Sequence, residues 1–157
     1  MNTAALLVGA VSGAIVAGVA YAISRYTRPI LVAGVIVAAL LYVYHAVHGR
    51  TSPAWLAAEL AGVAVYSGMA LRGLRGSPWW IAAGWALHVV WDVALHLAGP
   101  GRAFVPPWYP VWCGSLDLVV AAVVAYRIVH GSPAAIRPAL RTSSPTARGA
   151  SPRAWPR

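Results

Sequence analysis

Residues 78–98 read PWWIAAGWALHVVWDVALHLA. The run is long enough to cross a bilayer, which takes about 20 predominantly apolar residues. Yet it carries His88, Asp92 and His96 within its apolar length. A charged side chain at the bilayer centre costs on the order of 3 kcal/mol by insertion scales. Groups retained at that cost face the bundle interior or a cavity, pair with one another, and mark functional sites. The fold therefore turns on whether this run is a membrane span, and its function on what the three polar side chains meet.

The rest of the chain decides for a span. Of its 157 residues 60% are hydrophobic and only 10% charged. A soluble domain carries roughly 25% charged residues. Four further apolar stretches lie at about 3–23, 29–48, 53–71 and 109–129. Pro29, Pro53 and Pro78 open three of the spans, where a missing N–H is least costly. The pattern predicts an all-α fold, an integral membrane bundle of five transmembrane helices forming one domain over residues 1–129. Residues 130–157 are rich in Pro, Ser, Arg and Ala without apolar periodicity, and this basic tail is expected to be disordered.

The net charge of +9 comes entirely from arginine, as the chain has no lysine. Arg25, Arg28, Arg72, Arg75 and Arg127 fall at one end of the spans, with five more in the tail. Only Arg50 and Arg102 fall at the other. Positive residues stay in the cytoplasm, so the N-terminus is expected outside and the C-terminus inside. Arginines set beside apolar spans serve orientation in a lipid bilayer, and no nucleic-acid partner is expected.

Glu59, Asp92 and Asp117 are the only acids in the chain, and each lies inside a different span. With the alternating topology they fall at similar depth in the outer half of the bundle, at about 1.5 Å per helical residue. His45, His88 and His96 share that depth, and the inner half has no comparable groups. His88, Asp92 and His96 are spaced i, i+4, i+8, one stripe on one helical face. Cys113 stands four residues before Asp117 on the fifth span and is read as a small packing residue.

Imidazole with carboxylate suits a transition metal ion such as zinc, iron, copper or manganese. His88, Asp92, Asp117, Glu59, His96 and His45 are the candidate ligands. The alternative is that the same groups form a hydrogen-bonded network that fixes helix packing, or a proton relay. Two functions stay open at this point. One is a metal-dependent membrane enzyme acting on a lipid-like or other apolar substrate. The other is a non-enzymatic transporter, relay or accessory subunit. Phosphate-binding loops and nucleophile elbows are absent.

Two other segments carry signals. Gly9-x-x-x-Gly13 lets helices approach closely, within the bundle or in a homo-oligomer. The loop from Gly99 to Pro110 is stiffened by prolines and rich in aromatic residues. It reads as an interfacial anchor or as the entry for an amphipathic molecule.

The pattern His88-x-x-Trp91-Asp92, followed by Pro107-Trp108-Tyr109-Pro110-x-x-Cys113-x-x-x-Asp117, resembles a family of small uncharacterised bacterial membrane proteins. The resemblance covers the last two spans. It implies a small multi-pass protein of the bacterial plasma membrane and no particular activity.

Overall fold

The computed structural model describes residues 2–131. The expected tail, apart from His130 and Gly131, lies outside the described residues. Five helices follow one another: α1 (Thr3–Ala22), α2 (Thr27–His48), α3 (Pro53–Arg75), α4 (Trp79–Trp91, continuing as a π-helical turn Asp92–Leu97) and α5 (Tyr109–His130). All five, with the π turn counted in α4, are long and apolar enough to cross a membrane.

Local chemistry sets the ends. The Asn2 side chain accepts from the Ala5 N–H at 3.1 Å, and the Ser52 hydroxyl from the Trp55 N–H at 3.4 Å. Both satisfy amides that a helix start leaves unpaired. α2 stops where the Gly49 N–H bonds back to the His45 carbonyl, and Arg50 turns the chain with φ 51°. The left-handed region is costly for a residue with a Cβ. Here it compresses the α2–α3 connection into four residues, Gly49 to Ser52.

The helices form a ring in the order α1, α5, α4, α3, α2, with α4 also touching α2. α1 and α5 come closest because glycine removes the side chains between them. A Cβ on Gly9 would collide with Ser115 Oγ and the Trp112 carbonyl, and one on Gly13 would lie 2.5 Å from the Leu116 carbonyl. The close approach is therefore made inside this chain. A homo-oligomer using the same face would have to displace α5.

Two kinds of packing fill the interior. Toward the end that holds the α1–α2 and α3–α4 connections, the core is apolar: Leu31, Val35, Ala70, Ile81, Val120 and Val124. Trp85 is buried in it and donates Nε1–H to the Leu31 carbonyl at 3.2 Å. Toward the other end, Ala38, Tyr42, Val105, Tyr109 and Cys113 form a smaller cluster. All three acids are buried on this side of the bundle. The outside is apolar: Leu7, Val11, Ile15, Val65, Leu118 and Val129 are all well exposed. Val90 is 58% exposed, while Asp92 two residues later is 0% exposed. A polar interior inside an apolar shell is the arrangement that hydrocarbon solvent selects, and it marks a multi-pass membrane protein.

The α1–α5 contact yields a paired test. Gly9→Ala forces a Cβ into α5 backbone and should lower the melting temperature in detergent, with a cost of about 1–3 kcal/mol typical of overpacking. Gly18→Ala, whose added Cβ meets nothing within 4 Å, should leave it unchanged or raise it. Equal behaviour of the two variants would refute the packing.

Candidate metal centre

α4 and α5 supply the site. His88 and Asp92 lie one turn apart on α4, and Cys113 and Asp117 one turn apart on α5. The two helices pack with these turns facing. Gly114 makes room, since a Cβ there would sit 3.3 Å from Asp92 Oδ2. One ligating atom from each of the four residues falls within 4.8 Å of all the others, and all four residues are buried. His88 Nδ1 stands 2.6 Å from Asp117 Oδ2 and 3.6 Å from Asp92 Oδ1. The Cys113 thiol lies 3.7 Å from Asp117 Oδ2.

Bond lengths test the fit. Ligand bonds of about 2.0–2.3 Å in a tetrahedron hold neighbouring donor atoms roughly 3.3–3.7 Å apart. The Asp92–His88 and Cys113–Asp117 separations already lie in that range. The His88–Asp117 pair is shorter and hydrogen-bonded, so an ion held by both would need it to open by about 0.7 Å. The donor set of one imidazole, one thiolate and two carboxylates suits zinc and its neighbours.

The polar atoms around the centre are also short of partners. Asp92 Oδ1 and Oδ2, Asp117 Oδ1 and His88 Nε2 are buried without a hydrogen-bond partner among the described residues. So are the hydroxyls of Tyr42 and Tyr109. Nearly all buried polar groups in proteins are satisfied, so a concentration of orphans points to an additional partner. Charge points the same way. Glu59, Asp92 and Asp117 are matched by two buried histidines, and among the described residues no arginine makes an ion pair with them.

The six expected site residues do not form one group. His88, Asp92 and Asp117 come together. Glu59 and His96 form a second pair, with His96 Nε2 3.3 Å from Glu59 Oε1. The Trp91 indole N–H donates to Glu59 Oε2 at 3.3 Å. Tyr42 lies between the groups, stacked on His96 at 4.0 Å and 5.7 Å from the His88 ring. His45 is half-buried, packs edge-on against Tyr109 at 4.5 Å and is outside both groups.

The π turn explains the split. The Ala98 N–H bonds to the Val93 carbonyl at 2.9 Å, five residues back. One extra residue in a turn shifts everything after it by about 100° relative to a continuous α-helix. The expected i, i+4, i+8 stripe therefore ends at Asp92, and His96 is turned toward α3. Such turns occur often at functional sites, but no residue pattern in 92–97 announces one. Cys113 corrects the sequence reading in the opposite sense, because it joins the cluster instead of merely packing. Its i, i+4 spacing to Asp117 was the available signal. Trp91 as the donor to Glu59 had no sequence signal beyond its nearness to Asp92.

A multi-pass helical bundle with a buried His/Asp/Cys/Asp cluster is thus the class that fold and site define. The chain belongs to a family of unknown function (DUF6010), whose model matches residues 4–131. Comparisons with curated proteins and with solved structures return no match.

Removing Ala94 should convert the π turn to α-helix and swing His96 away from Glu59. Thermal stability should then fall about as far as in Glu59→Gln, on the order of 1–3 kcal/mol for a stranded buried polar group. An unchanged melting temperature would show that the π turn does not position His96.

Proposed function

We propose that this protein is a metal-dependent membrane enzyme acting on a lipid-like or other apolar substrate. Its ion, one of zinc, iron, copper or manganese, is held by His88, Asp92, Cys113 and Asp117. The observation that carries the reading is the convergence of those four buried ligating atoms within 4.8 Å. A bound cation offsets the excess of carboxylates and gives the unpartnered oxygens a partner. When bound, such an ion supplies a Lewis acid and a polarised water. The protein's own groups orient it. His88 and Asp117, now in contact at 2.6 Å, would part to admit the ion, and Gly114 keeps the Asp92 carboxylate close beside them. The Tyr42 and Tyr109 hydroxyls lie beside Asp92 and Cys113 of the centre.

The orientation we propose has the N-terminus outside and the C-terminus in the cytoplasm of a bacterial plasma membrane. Support comes from the arginine asymmetry, ten on one side against two on the other, and from the resemblance to small bacterial membrane proteins. The centre then lies in the outer half of the bilayer, where lipid-like substrates arrive laterally.

The short His88–Asp117 contact favours a second reading, in which the acids and histidines form a proton relay or a structural network without metal. Elemental analysis of detergent-purified protein separates the two. Wild type should carry about one equivalent of a transition metal, while Asp92→Ala and Cys113→Ser should lose most of it, because losing one ligand of four weakens a site sharply. Metal-free wild type that stays folded after incubation with each of the four ions would eliminate the enzyme reading and leave the relay or network.

A further inference from the structure

The loop between α4 and α5 closes over the second polar pair and leaves a depression beside it. His96, Leu97, Pro100, Arg102, Ala103 and Pro107 line this depression. We propose that it binds the headgroup of an anionic phospholipid, with the phosphodiester on Arg102 and His96 and the acyl chains along Leu97 and Val93. The inference names the ligand class of the enzyme proposed above and so rests on that reading, but it stands on different residues.

Arg102 is exposed, and its guanidinium makes no ion pair or hydrogen bond among the described residues. No side-chain carboxylate is left to pair with it. All three acids of the chain are buried inside the bundle, and each is already in contact with a histidine. An arginine fork without an internal partner, at the end of an apolar bundle, matches the geometry of a phosphate.

His96 is the second, independent observation. It lines the depression yet is 1% exposed, and neither ring nitrogen has a hydrogen-bond partner in good geometry among the described residues. Its ring is held from three sides. Tyr42 stacks on it at 4.0 Å, Phe104 meets it edge-on at 5.6 Å, and a Cβ on Gly101 would lie 2.5 Å from Nδ1. With Nε2 turned to Glu59 at 3.3 Å, Nδ1 is the ring position left without a partner beside the unpaired Arg102, and it is the donor offered to an anion.

The surroundings select an amphiphile over a free anion. Leu97 and Val93 are 42% and 46% exposed directly below the loop. They give an apolar ledge on the outer face of α4. Pro100, Pro106 and Pro107 stiffen the loop, which keeps Arg102 at the level where headgroups lie.

Native mass spectrometry of the protein released from nanodiscs tests this. The discs contain phosphatidylcholine with a minority of phosphatidylglycerol. Wild type should retain phosphatidylglycerol with an enrichment about tenfold above that of Arg102→Gln, the factor a charge-assisted contact supplies. Arg102→Lys should recover part of it. Equal retention in wild type and Arg102→Gln would overturn the proposal, as would displacement of the lipid by inorganic phosphate at equal concentration. Displacement by oleate but not by phosphate would show that the site takes anionic amphiphiles more broadly than phosphodiesters, and would overturn the restriction to phospholipid. Metal content measured on the same samples keeps the two claims apart. Arg102→Gln should lose lipid and keep its ion, whereas Asp92→Ala should lose its ion and keep lipid.

Discussion

Burying three carboxylates inside an apolar shell with only two histidines beside them is the constraint on which the rest of this structure depends. An uncompensated charge in such a medium costs several kcal/mol. Among the described residues no arginine reaches in from the ends, which leaves one another's protons, the histidines or a cation to neutralise the acids. Each solution requires the polar groups to meet, and the helix packing is arranged so that they do. Gly114 lets α4 and α5 approach until Asp92 and Asp117 share His88. Gly9 and Gly13 bring α1 against the opposite side of α5, next to Trp112, Ser115 and Leu116. The apolar core around Trp85 and Val120 then anchors the other half of the bundle.

The π turn divides the polar interior into two compartments. Without it, His96 would continue the face of His88 and Asp92. With it, His96 leaves that face, meets Glu59, and comes under the α4–α5 loop. The result is one deep group of four residues that could hold a metal ion and one shallower pair beside the depression lined by Arg102. Tyr42 touches rings in both. Under the function proposed above, the deep group would hold the ion and the depression beside the second pair would hold the substrate's headgroup.

Much of this was legible in the sequence, for physical reasons. Hydropathy over 20-residue runs is a strong signal because backbone polar groups cannot be left unpaired in lipid, so the helical class was readable. The acids stood out because charge is so costly there, and of the residues that depth and spacing grouped, the structure brings His88, Asp92 and Asp117 together. The part that stayed hidden concerns azimuth. A strict 3.6-residue period predicts where each side chain points only if the helix is regular, and the π turn at Asp92–Leu97 breaks that condition. His96 was therefore expected in one group with His88, Asp92, Asp117 and Glu59, of which it meets Glu59, and Trp91 was not recognised as Glu59's donor. Cys113 was undervalued for another reason. A lone cysteine packs more often than it binds, and only the facing turn of α4 shows that this one borders carboxylates. His45 matches the others in depth, but it faces Tyr109 and not the cluster.

The central claim is that His88, Asp92, Cys113 and Asp117 hold one ion between α4 and α5. X-ray absorption at the edge of the bound metal tests it most directly, because it reads the donor atoms themselves. The account expects a first shell with one sulfur at about 2.3 Å and nitrogen or oxygen donors at about 2.0–2.2 Å. The sulfur contribution should be absent in Cys113→Ser. A shell of oxygen alone, or one unchanged by loss of Cys113, would contradict it.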